Sequence, residues 1–366
     1  MRRTLYHIAG ESLVIEAQDP WIADEIEARF AGWYLSREGE ASDAMSPAIV
    51  MSSRAAPPAL PGEWDRFDIA GGGVCHTDGR ASYLDLDGAV IAIGRPGRAG
   101  VEVWVDAMPP GDARIGAPIE SPLDASALTR VVSYALSAAL RQRRRFELHS
   151  GALVDPETGK GVLIVGPSGS GKSTLAVHLA AAGWPFLTDD VLLLSHERGD
   201  RPDVTAWPLR RCFAITAETL AASRFLRTRS ALEPVGKVAA VGAAVGAPVA
   251  AAMGATVPRI DDKQQFLPQD VFAGPFTDRC VPGTLVFAEV TGARDSRVSP
   301  LSASETMARL IRMNPWSCYD RATAADHLAV LSALATQATA YALRAGRDLL
   351  DSDAAVATIA ACTRAS

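Results

Sequence analysis

Lysine is nearly absent from this 366-residue chain: four lysines, at positions 160, 172, 237 and 263, stand among 36 basic residues. Positive charge is not in excess either, since 36 Lys and Arg face 42 Asp and Glu for a formal net charge of -6. A duplex binder held by phosphate contacts needs a basic face, so this balance argues against a nucleic-acid partner. Cysteine is sparse: Cys75, Cys212, Cys280, Cys318 and Cys362 lie far apart and none forms a C-x-x-C pair. That spacing offers neither a disulfide framework nor a zinc site, and it fits a reducing cytoplasm. Long runs of bulky apolar residues are missing too. No apolar stretch follows Met1-Arg2-Arg3, so no secretory signal is expected. Residues 238–257 carry no charge, but they are mostly Ala and Gly with Pro248 inside and no Leu, Ile or Phe. A membrane span favours bulky apolar side chains. The stretch therefore reads as an Ala/Gly-rich insertion, packed on a domain or partly mobile, and no membrane association is expected.

The composition that remains, 48% hydrophobic and 21% charged, is that of a globular protein. At roughly 100–200 residues per domain, the length predicts two domains. Residues 1–120 read as a β-rich N-terminal domain of unknown role. Leu13-Val14-Ile15 is a short apolar run, and Ile22, Ile26, Phe30 and Trp33 recur at helical spacing within 21–34. Residues 54–62 read as a loop. Two apolar strands flank the Asp87-Gly88 turn, Val101 to Val105 alternates as another strand, and Met108 to Gly111 closes the set.

Residues 121–366 read as an α/β domain. A helix is expected from near Asp124 through Leu140, ending in Arg141, Arg143, Arg144 and Arg145. Positive charge there complements the helix dipole. Ala152 to Val154 and Val162 to Val165 read as buried strands joined by a turn. A helix over 175–182 and strands near 186–188, 191–194, 204–207 and 285–287 follow. Ser302 and Glu305 form a capping box that opens a helix through Ile311. Helical patterns at 323–345 and 353–362 end the chain. Alternating strands and helices with a helical C-terminus indicate an α/β architecture.

One octapeptide stands out: Gly166-Pro167-Ser168-Gly169-Ser170-Gly171-Lys172-Ser173 fits G-x-x-x-x-G-K-[ST], with Thr174 directly after it. It follows an apolar strand and precedes a helix, which is the context this phosphate-binding loop requires. Glycine lets the backbone wrap closely around phosphate oxygens. Backbone N–H groups and the helix N-terminus then face the anion. Lys172 reaches the β- and γ-phosphates and the Ser173 hydroxyl ligates Mg²⁺. The alternative is a plain Gly-rich turn.

Asp189-Asp190 lies seventeen residues beyond Lys172, one helix, one turn and one strand away. Mg²⁺ takes one or two carboxylates with phosphate oxygens and water, while a second carboxylate can take the proton of an attacking hydroxyl. The alternative is a solvated Asp-Asp turn. His149, just before the strand pair, is the third candidate. His7, His76, His178, His196 and His327 have no such setting, and Trp184, Trp207 and Trp316 read as core residues.

At these residues the chain resembles the HPr kinase/phosphorylase catalytic domain, which shares its phosphate-binding core with the phosphoenolpyruvate carboxykinases. The resemblance covers about 146–195. It implies an α/β P-loop kinase domain of HPr kinase/phosphoenolpyruvate carboxykinase type, following the β-rich N-terminal domain. It implies ATP and Mg²⁺ as cofactors and phosphorylation of a serine on a protein or peptide. Residue by residue, Asp189 is then the catalytic base, Asp190 and Ser173 hold Mg²⁺, Lys172 clamps phosphate and His149 tunes Asp189. Gly166, Pro167, Ser168, Gly169, Ser170, Gly171, Lys172, Ser173 and Thr174 cradle the nucleotide. A homo-oligomer fits the same resemblance. The second Gly-rich signature of HPr kinases is absent, and the N-terminal region is unlike theirs. The chain looks closer to the divergent HPr-kinase-related proteins that phosphorylate ribosomally made peptides. Lys263, Arg297 and the Arg210-Arg211 pair are candidates for an additional cation at the transferring phosphoryl group. A small-molecule kinase and a nucleotide-binding regulator or ATPase remain as alternatives.

Overall fold

A computed structural model describes residues 1–30, 36–53, 57–60, 62–69, 73–86, 89–95, 100–105, 125–196, 203–209, 213–216, 236–237, 263–266, 268–314, 317 and 320–365. The Ala/Gly-rich stretch 238–257, the Asp87-Gly88 turn, Trp33, Met108 to Gly111, Asp124, Arg210-Arg211, Trp316 and part of the 54–62 loop lie outside the described residues. The chain is mixed α/β with two large sheets and divides into two units. One is Met1–Arg143 with Cys318–Ala324, and the other is Arg144–Ser317 with Ala325–Ser366.

The first unit holds β1 (Arg2–Ile8), β2 (Glu11–Ala17), α1 (Pro20–Phe30), β3 (Ser36–Glu40), β4 (Ile49–Ser52), β5 (Asp65–Asp68), β6 (Val74–Thr77), β7 (Ser82–Leu86), β8 (Ala89–Ile93), β9 (Val101–Val105) and α2 (Ala125–Gln142). Its strands form one sheet in the order β3-β1-β2-β4-β9-β8-β7-β6-β5. The β1–β2 hairpin turns on Ala9 and Gly10, both at positive φ (51° and 78°), the primed geometry that matches strand twist. In α1, Pro20 occupies a first-turn position that needs no N–H, and Ile22 and Ile26 bury their side chains. The sequence boundary at 120 puts α2 with the second region, but α2 makes its contacts with β4, β8 and β9. Of the arginines at its end, Arg141 is held structurally. Arg141 is buried and donates to Ser137 Oγ (2.6 Å) and Asp320 Oδ2 (3.1 Å).

The second unit carries β10 (Phe146–Val154), β11 (Gly161–Val165), α3 (Lys172–Ala181), β12 (Phe186–Thr188), β13 (Val191–His196), β14 (Val204–Pro208), β15 (Phe213–Thr216), β16 (Gly236–Lys237), β17 (Lys263–Phe266), α4 (Pro268–Val271), β18 (Pro282–Val290), β19 (Arg297–Leu301), α5 (Ala303–Met313), most of α6 (Arg321–Gln337), β20 (Thr339–Ala345) and α7 (Ser352–Arg364). Its main sheet runs β14-β13-β10-β11-β18-β20-β19, with β12 pairing β10. The strands β11, β18 and β20 are mutually parallel. One expectation is corrected here: 323–345 is not a continuous helix. The chain leaves α6 at Gln337, and Thr339–Ala345 becomes a strand between β18 and β19. Alanines fit either period; pairing on both edges decides for the strand.

Alternation along β11 sends its side chains to two cores. Val162 and Ile164 pack with Leu175 and Leu179 of α3 and Ile359 of α7. Leu163 and Val165 pack with Leu310 and Met313 of α5 and Leu331 and Leu334 of α6. Each fully buried Val, Leu or Ile here contributes roughly 1.5–3 kcal/mol, so the strand that ends in the glycine-rich loop is anchored on both faces.

Candidate functional site

The glycine-rich segment 166–171 leaves the carboxyl end of β11 and runs into α3. Two backbone positions explain its glycines. A Cβ on Gly166 would lie 2.7 Å from the Ala288 carbonyl oxygen and 2.5 Å from Ser170 Oγ, so β18 approaches too closely for any side chain. Gly171, the residue capping α3, sits at φ 91°, a left-handed conformation open to glycine. No side chain caps this helix start, and an uncapped first turn presents N–H groups to an anion.

Lys172 is buried, and its Nζ donates to the carbonyls of Gly166 (2.7 Å) and Pro167 (2.9 Å). The ammonium thus lies across the mouth of the loop. Ser173 and Thr174 follow in the first turn of α3, both half-buried. The Ser170 amide bonds back to the Pro167 carbonyl (3.2 Å), closing the loop on itself. Ser168 and Gly169 stand at its tip.

The two acids sit at the turn between β12 and β13. That turn is tied to β10, because the Ser150 amide donates to the Asp190 carbonyl at 3.0 Å. Asp189 is 3% exposed. Its Oδ1 would stand 3.7 Å from a Cβ on Gly151, and Ala176 Cβ of α3 would stand 3.8 Å from the same point. The carboxylate therefore shares the space over Gly151 with the first turns of the helix that begins at the loop. His149 Nδ1 lies 3.3 Å from Asp190 Oδ1, with both side chains largely buried. This contact brings His149 against Asp190; the resemblance assigns it to Asp189, the neighbouring acid of the same turn. His149, Gly151, Asp189 and Asp190 thus converge on one side of the strand beside the loop.

For Mg²⁺ the donor chemistry fits: a hydroxyl at Ser173 and a carboxylate at Asp190 are hard oxygen ligands. No group of three His, Cys, Asp or Glu able to hold a metal occurs among the described residues. A divalent ion here would complete its shell with phosphate oxygens and water.

On the other side of the loop a cavity of about 390 Å³ opens between Val165 to Ser170, the end of β18 and the α5 residues Arg309, Arg312 and Met313. The Arg309 guanidinium lies over the Phe287 ring, 5.6 Å from its centre. Of the cations expected from the sequence, Arg297 is exposed on β19. The side chain of Lys263 and both Arg210 and Arg211 lie outside the described residues. The cations the fold does bring to the loop, Arg309 and Arg312, were not singled out. Their signal was faint: two arginines three apart near the end of a helix opened by the Ser302–Glu305 box. Trp184 is a buried core residue, as expected. Trp207 is half-buried, donates to Ser195 Oγ (3.0 Å) and lies beneath Arg279. No described helix is long and apolar enough to cross a membrane.

No protein-family model matches the chain, and no curated protein matches it. Among solved structures, the Hpr(Ser) kinase/phosphatase from Coxiella burnetii is a weak neighbour. It is 13% identical, with a TM-score of 0.21, and the match covers 42% of this chain and 77% of that one.

Proposed function

We propose that the protein is an ATP-dependent kinase that transfers the γ-phosphoryl group to a serine hydroxyl of a protein or peptide, with the HPr-kinase-type P-loop core expected from the sequence. The observation that carries the reading is the juxtaposition beside β10 and β11, in the middle of the second unit's main sheet. An uncapped helix start with its lysine across the loop follows β11, and the turn that carries the two adjacent acids is tied to β10, the strand paired with β11. The loop amides and Lys172 bind the triphosphate, and Ser173 and Asp190 would hold Mg²⁺, with His149 beside the Asp190 carboxylate at 3.3 Å. Mg²⁺ supplies neutralisation of charge on the β- and γ-oxygens. Asp189 accepts the proton of the serine hydroxyl as its oxygen bonds to phosphorus. The bond from γ-phosphorus to the bridging oxygen breaks, and ADP leaves. Binding holds the reactants in line, which supplies most of the acceleration in such transfers. A switch that only binds nucleotide needs one metal-binding acid, and the buried second acid favours transfer.

A peptide library with serine fixed at its centre, incubated with Mg²⁺ and γ-labelled ATP, tests the reading. Label on serine with the wild type, lost in Asp189→Asn while ATP binding remains, is expected. Label on a metabolite in place of peptide would make this a small-molecule kinase, and release to water alone would make it an ATPase.

A further inference from the structure

We infer that the cavity between the loop and α5 takes the nucleoside end of the nucleotide, with Arg309 stacked on Phe287 as the platform for the base; this rests on the loop's being a phosphate cradle. Direction comes first. The acids lie beside β10, on the face of the sheet that α3 covers, since Gly151 faces Ala176 and Leu153 on the same side of β10 packs in the α3 core. The cavity lies beside β18, on the opposite strand neighbour of β11, and Phe287 and Met313 in its wall belong to the opposite core. A triphosphate held at the loop with its terminal phosphate toward the acids therefore directs its other end over β18. Ligands of open α/β sheets sit outside the carboxyl ends of their strands.

The chemistry of the wall agrees. A cavity of about 390 Å³ falls within the roughly 300–1,000 Å³ of small-molecule sites. Arg309 is half-buried and its guanidinium already lies over Phe287, 5.6 Å from the ring centre, so a planar base can lie on the guanidinium without that side chain being ordered anew. A second, independent observation is Ser170. Its hydroxyl is buried, has no hydrogen-bond partner among the described residues, and belongs to a residue that lines the cavity. A ribose hydroxyl or the first phosphate would satisfy it. Arg312, exposed on the same wall, complements that phosphate's charge.

Calorimetric titration of the full chain with Mg²⁺ present separates the two ideas, using ATP in one arm and inorganic tripolyphosphate in the other. The wild type should bind both, ATP more tightly. Arg309→Ala should weaken ATP roughly tenfold and leave tripolyphosphate unchanged, and Arg309→Lys, which keeps the charge but not the flat surface, should follow Arg309→Ala. Melting curves for each variant confirm folding. Equal weakening of both ligands, or ATP binding unchanged in Arg309→Ala, overturns the nucleoside assignment while leaving the cradle intact. A wild type that binds neither ligand, or Lys172→Ala that binds tripolyphosphate like the wild type, overturns the cradle and the assignment with it.

Discussion

Asp189 and Gly166 show what single residues decide. A positioned general base contributes roughly 10²–10⁴ in rate, so Asp189→Asn should slow transfer by about that factor in a single-turnover assay while the dissociation constant for ATP stays within about threefold. Gly166→Ala drives a methyl into the Ala288 carbonyl. Overpacking of this kind costs about 1–3 kcal/mol, so the variant should melt at lower temperature and bind nucleotide poorly. His178 gives a pH dependence. Burial holds its imidazole below the ordinary value, with Asp351 opposing the shift. The unfolded chain therefore takes up a proton that the folded one resists. Stability should fall as pH drops below about 6.5 and be flat above it on this group's account; His178→Gln should flatten that slope in melts from pH 5 to 8. The loop residues were legible in the sequence because they fill one short motif, in which the local backbone demands glycine at 171 and the close approach of β18 demands it at 166. Arg309 and Arg312 were not, because their nearness to the loop exists only once β18 and α5 have folded against it.

At the scale of elements, legibility tracked how much the local pattern determines. The strand β11 is a short run of apolar residues between turn residues, and its burial on both faces follows. The box at the start of α5 was equally plain: Ser302 Oγ accepts from the Glu305 amide (3.3 Å) and the Ser302 amide donates to Glu305 (2.9 Å). Ser302→Ala should remove about 0.5–2 kcal/mol from the first turn of α5. Hydrogen exchange at the Thr306 amide, bonded to the Ser302 carbonyl, should quicken accordingly, with amides in α3 unaffected. Thr339–Ala345 was misread as helix because its alanines carry no period of their own. Its strand character comes from β18 and β19 on either side, partners that lie apart from it in sequence. The acids were legible as a pair, but the nearness of His149 to Asp190 comes with the tie between Ser150 and Asp190 across neighbouring strands.

Across the whole molecule, the two units fold on separate sheets, and the loop, the acids and the cavity all belong to the second. Nucleotide should therefore raise the stability of that unit alone. Saturation at a hundred times the dissociation constant adds about 2.7 kcal/mol. Hydrogen exchange should show protection in β10, β11 and α3, and none in β1 to β9. The first unit's role was not legible, since nothing in 1–120 carries a chemical motif and its strands reveal only packing. The claim beneath all of this is that the 166–173 loop binds a nucleotide triphosphate through its amides and Lys172. Calorimetric titration of Mg·ATP into the wild type and Lys172→Ala tests it most directly. The account predicts one saturable site in the wild type and at least a tenfold loss in the variant, and equal binding by the two proteins would contradict it.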